Sequence, residues 1–169
     1  MAKDIENNWA IMYENGMYVM KTKLFVVFLI IFIVTNVSAE QQYEKFGRGK
    51  VVFSQQTITI VVEVARTEMQ RTIGLMFREY LAAHSGMLFI FEQETIQRVW
   101  MRYTLIPLDV VFISAQGKIV SMIKNLQPCK VEPCEIYQST VAATYMLEVN
   151  AGMVDRKNIE IGQNLLFYL

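Results

Sequence analysis

The densest run of chemistry-bearing residues is Trp100-Met101-Arg102-Tyr103, with Asp109 following six residues after Tyr103. An indole, a phenol, a guanidinium and a carboxylate at this spacing could wall and charge a ligand groove. Pro107 stiffens the approach to Asp109, and Asp109 opens an apolar strand, Val110–Phe112. A carboxylate there needs hydrogen bonds or a cation, and Arg71, Arg78 and Arg102 are the candidate partners. The structural alternative is an ion pair that only fixes the start of the strand. Cys129 and Cys134, each directly after a proline in PCKVEPC, are the second feature. Two thiols cannot close a tetrahedral metal shell, and the spacing is not that of a thioredoxin-like pair. An intramolecular disulfide is therefore expected, stabilising by about 2 kcal/mol through its short loop.

Other nucleophiles and bases are sparse. His84 is the single histidine, in LAAHSG, where a solvated loop residue is the simpler expectation than a general base. No serine lies in a G-x-S-x-G elbow, and no phosphate-cradling glycine loop occurs. No catalytic residue, cofactor or metal site is assigned. Sixteen basic residues balance sixteen acidic ones, which removes the positive surface that nucleic-acid binding ordinarily needs.

The elements that must hold these residues are short. The 169-residue chain is 53% hydrophobic and 19% charged, a composition unlike that of disordered proteins. Leu24–Val34 is an unbroken apolar run preceded by Lys21 and Lys23 and followed by Val37-Ser38-Ala39. This is the pattern of a secretory signal, too short at about 16 Å to span a ~30 Å hydrocarbon core. Residues 1–39 are read as a signal peptide cleaved after Ala39, with Met17 or Met20 as alternative starts because the first residues are acidic. The mature chain is then periplasmic or secreted; an uncleaved signal anchor is the alternative, and the only expected route to a membrane.

Residues 40–49 read as a mobile lead-in, and 50–169 as one β domain. Eight strands are expected: Lys50–Phe53, Ile58–Ala65, Gly86–Phe91, Gln97–Met101, Asp109–Ile113, Lys118–Asn125, Thr144–Asn150 and Asn164–Leu169. In the second, Ile58, Ile60, Val62 and Val64 alternate onto one face. One helix is expected over Glu68–Ile73, capped by Thr67 with Gln70 completing a capping box and Gly74 ending it. Leu75–Ala83 is a candidate for further helix. The pattern predicts a mainly β fold, a compact β-sandwich or jelly-roll-like small barrel.

At RTIGLMF (71–77), GMLFIF (86–91), WMRYTLIPLDVV (100–111) and LEVNAG (147–152) the chain resembles the domain of unknown function 192 family. The likeness runs from about residue 50 to residue 168. Tyr103 departs from the pattern, since the family typically has asparagine there. The resemblance implies a β-sandwich or jelly-roll domain and no established activity, cofactor or catalytic residue. Together these features favour a non-enzymatic, extracytoplasmic domain that binds a small ligand, a glycan or a protein partner. The competing readings are an enzyme using Asp109 with Arg102 or His84 in a cleft, and a structural envelope protein.

Overall fold

The computed structural model describes residues 45–56 and 58–169; the expected signal peptide lies outside them. Nine strands and two short helices follow in the order β1 (Gly47–Phe53), β2 (Ile58–Ala65), α1 (Glu68–Ile73), β3 (Ser85–Thr95), β4 (Arg98–Trp100), β5 (Leu108–Ile113), β6 (Ile119–Leu126), β7 (Ile136–Gln138), β8 (Ala143–Asn150), α2 (Met153–Arg156) and β9 (Leu165–Tyr168). Seven strands form one sheet in the order β6-β5-β8-β3-β2-β1-β9, and β4 pairs with β7 in a separate ribbon. All neighbours are antiparallel except β2 and β3, whose parallel pairing is made possible by the crossover through α1.

The sheet curls until its edges meet. Lys118 and Asn164 form a bridge, and Ile119 N–H donates to the Gln163 carbonyl at 2.9 Å while Leu165 N–H donates to that of Gly117 at 2.8 Å. This closes a small barrel and satisfies backbone groups that open edges would leave exposed. Its interior holds Val51, Phe53, Ile60, Val62, Leu88, Val111, Ile113, Leu147 and Val149. The alternation read for β2 is present: Ile60, Val62 and Val64 are buried in this interior and Ile58 packs against it.

A second core lies on the other face of the central strands, around Met87, Phe89, Val110, Phe112 and Met146. It is roofed by Leu75, Leu81, Val99, Met101 and Ile106 from the connecting segments. Strands β3, β5 and β8 are thus apolar on both faces, as a sheet covered on both sides requires. This arrangement positions the site, because any polar side chain on the second face is roofed over.

Helix α1 forms as expected. Thr67 Oγ1 accepts from Gln70 N–H, and the Gln70 side chain accepts from Thr67 N–H, completing the capping box. Gly74 ends the helix at φ 46° and ψ −128°, with positive φ as expected but outside the left-handed helical basin. Leu75–Ala83 adds no helix: it is turn and coil, because Leu75 and Leu81 are drawn into the second core and break the 3.6-residue period. Further differences include β3, which runs on to Thr95, four residues past its expected end. β1 begins at Gly47, inside the expected lead-in; β7 and α2 were not expected, each being only three or four residues long.

Candidate functional site

Strand β8 alternates Leu147 and Val149 into the barrel with Met146 and Glu148 onto the second face. Glu148 stands opposite Met87 of β3 and Val110 of β5, so one row across three strands reads methionine, glutamate, valine. The Glu148 residue is 5% exposed. Its carboxyl has no hydrogen-bond or ion-pair partner among the described residues, and burial alone pushes its pKa up to about 8. Desolvation disfavours the carboxylate, so the group is held as the neutral acid at pH 7.

Above this carboxyl lies a recess of about 70 Å³. One wall is the end of α1 and its following turn, with Arg71 and Gly74; the other is β4, with Arg98 and Trp100; Phe89 and Thr104 fill the flanks. Arg71 is held in place by donating from Nη1 to the Ile90 carbonyl at 3.0 Å and to the Arg66 carbonyl, with its guanidinium 5.6 Å from the Phe91 ring centroid. A shallower groove of about 210 Å³, lined by Arg98, Val99, Trp100 and Ile136, shares the β4 residues with this recess. Neither Arg71 nor Arg98 takes part in an ion pair among the described residues.

The residues singled out from sequence divide between several places. Arg71 and Trp100 line the recess; Arg78, Met101, Arg102, Tyr103 and Asp109 do not. Asp109 is fully buried, beyond the partial burial expected, and no arginine holds it. Its Oδ1 accepts from Asn125 N–H and its Oδ2 from Val154 N–H, both at 2.9 Å, so the carboxylate caps the start of α2 and fixes the end of β6. Two backbone donors supply what a guanidinium was expected to supply. Arg78 instead makes a bidentate contact with Glu63, whose carboxyl is held below its ordinary range chiefly by that hydrogen bond. Arg102 pairs with Glu132 at 2.8 Å and lies over the rings of Tyr103 and Trp100, 4.9 and 5.6 Å from their centroids. Met101 is core. His84 is exposed in the loop before β3.

Tyr103 has φ 55°, a conformation that asparagine tolerates better than most residues. Its carbonyl accepts from Phe77 N–H at 2.8 Å, Phe77 itself has φ 61°, and the two rings stack 5.3 Å apart. A backbone requirement therefore accounts for asparagine at this position without assigning its amide to a ligand.

Cys129 and Cys134 are joined in a disulfide, as expected. Cys129 N–H donates to the Met101 carbonyl at 3.2 Å, so the bridged loop braces the segment that follows Trp100. Among the described residues no group of three or more His, Cys, Asp or Glu is placed to hold a metal, and no helix is long and apolar enough to cross a membrane.

Sequence reasoning missed Glu148. The available signal was an acid in YMLEVN, a run whose neighbours on both faces are apolar, which places it in a doubly covered strand. The rest of LEVNAG has structural work: Asn150 donates from Nδ2 to the carbonyls of Leu81 and Ala82, and Gly152 precedes α2 at φ 74°.

A family model described as "Uncharacterized ACR", domain of unknown function 192, matches residues 50–167. The chain belongs to this family. Two solved structures are similar to it. A Sinorhizobium meliloti protein, provisionally described as a transcription regulator, is 33% identical with a TM-score of 0.67, over 73% of this chain and 95% of that one. A Novosphingobium aromaticivorans protein of unknown function is 26% identical with a TM-score of 0.64, over 72% of this chain and 84% of that one. No curated protein matches significantly.

Proposed function

We propose that this DUF192 chain is an exported, extracytoplasmic domain that holds a small ligand in the recess above Glu148. The observation that carries the reading is the unpartnered, buried Glu148 carboxyl facing an open recess. Buried polar groups in native proteins nearly always have partners, and one left without a partner at the floor of a cleft is suited to a ligand that supplies it. Trp100 and the two arginines on the walls give that ligand a flat apolar contact and positive charge. Export is supported by the apolar run Leu24–Val34 with its flanking lysines and small residues, and an exported chain meets the oxidising conditions in which a disulfide persists.

The description of the Sinorhizobium relative raises nucleic acid as a partner. The balance of sixteen basic and sixteen acidic residues favours a small ligand instead. The test is native mass spectrometry of the protein recovered from its own host. A small molecule retained by the wild type and lost from Trp100→Ala supports the reading. Protein that carries no ligand, and whose NMR signals at the recess do not move with any member of a fragment library, would overturn it.

A further inference from the structure

We propose that the recess recognises an organic carboxylate whose head group sits between Glu148 and the arginines and whose apolar body lies along β4. The inference rests on the reading that this recess is the binding site, and it names the class of ligand.

Three features converge on that chemistry. The floor carries a carboxyl with no partner, in a row with Met87 and Val110 and beside Met146. The walls include two arginines, Arg71 from α1 and Arg98 from β4, neither of them neutralised by an acid among the described residues. No arginine reaches the floor: the only influence on Glu148 is its burial. We infer that a ligand carboxylate fills the gap between them, one oxygen accepting a hydrogen bond from the Glu148 O–H and the other turned toward the arginines. Charge-assisted hydrogen bonds of this kind are short and strong. A ligand ammonium would meet both arginines with like charge, and a neutral amide would leave their charge unanswered.

Size sets the rest of the molecule. With roughly 30 Å³ as a water's share of liquid volume, a recess of about 70 Å³ takes a carboxylate head and not a ring. The body must lie outside, where the groove of about 210 Å³ offers Trp100, Val99 and Ile136. An aromatic or branched aliphatic body suits that lining better than a string of hydroxyls. The ligand is then a small aryl or alkyl carboxylic acid.

Binding is coupled to one proton. The residues opposite Glu148 or sharing its recess are Met87 from β3, Val110 from β5, Met146 on its own strand, Thr104 from the loop before β5, and Arg71 and Arg98 on the walls. Of these only the arginines are charged, and they stay charged throughout the working range. Glu148 is thus the group that changes. Once it is ionised it opposes the ligand, and binding must first return its proton. Affinity falls tenfold for each further pH unit above about 8.

Benzoate, benzamide and benzylamine share one ring and differ in head-group charge, so titrating each into the purified protein while following backbone NMR shifts tests the class. At pH 6 benzoate is expected to bind at least tenfold tighter than the other two, shifting signals from Gly74, Trp100 and Glu148. Its affinity is expected to drop from pH 8 to pH 10 in the wild type. In Glu148→Gln, which keeps a donor and cannot ionise, it should stay flat; Arg98→Gln should weaken benzoate several-fold. If Glu148→Gln does not fold, the wild-type pH profile and Arg98→Gln carry the test. Preference for benzamide or benzylamine, or a pH-independent wild type, overturns the carboxylate inference and leaves the recess as a site. Failure of all three probes to move recess signals at either pH overturns both.

Discussion

A carboxyl that hydrogen-bonds to nothing and a carboxylate that accepts two backbone hydrogen bonds occupy the neighbouring strands β8 and β5. Glu148 is held protonated, so between its ordinary value of 4.5 and about 8 the folded chain binds a proton that the unfolded chain has released. The contribution of this group is complete below pH 4.5 and is lost as pH rises through 8. Glu148→Gln removes that dependence. The variant should match the wild type near pH 4.5 and exceed it near pH 8.5 by on the order of 4 kcal/mol; urea titrations at the two pH values measure it. Asp109 is anchored instead by backbone donors. Asp109→Asn leaves one carbonyl oxygen for two donors, Asn125 N–H and Val154 N–H, and turns an amide N–H toward one of them. A loss of about 1–3 kcal/mol is expected from the unsatisfied donor. Thermal denaturation that shows no change would mean that the carboxylate does not anchor α2.

The elements show where local sequence decides and where it does not. Thr67, Gln70 and Gly74 specify α1 by hydrogen bonds within a few residues of chain, so its ends are legible without the rest of the molecule. The branched residues of β2 are legible for the same reason, through a period of two. β7 is three residues long and mostly exposed, and its strand character comes only from pairing with β4. Nothing local marks it. Asp109 was legible as buried, because the strand it opens is apolar, whereas its partners lie 16 and 45 residues away and are backbone groups, which residue type does not encode. Glu148 belongs to the same class: that it is roofed follows from the packing of the 74–107 segments over β8, a tertiary fact. At this scale the disulfide is also testable. Its loop of six residues corresponds to about 2 kcal/mol in chain entropy. Reduction should lower stability by that amount, leave the barrel signals in place, and shift those of Trp100 and Met101, which the bridged loop braces.

For the whole molecule, the expectation with the widest consequence is export. We expect the protein recovered from its host to begin at Glu40 and to lie outside the cytoplasm; Edman sequencing of the two fractions checks both. A chain retaining its first residues in the membrane fraction would favour the signal anchor. The compartment matters to the site, since a domain outside the cytoplasm experiences the pH of its surroundings. If the proposed export and ligand binding hold, a carboxyl that burial pushes up to about 8 would report alkalinity through ligand release as well as through stability.

The pairing of β1 with β9 sets an order on the making of the protein. Lys50 lies against Tyr168 and Phe53 against Leu165, so the first strand to be synthesised finds one of its two neighbours only when the last has been made. Until then the barrel is an open ribbon with a free margin at β1 and another at β6. Ribosome-bound chains stopped short of residue 165 should therefore remain susceptible to protease along β1, and the seam should shut only once β9 is available to pair. A fold that cannot finish early stays threadable for as long as its tail is missing.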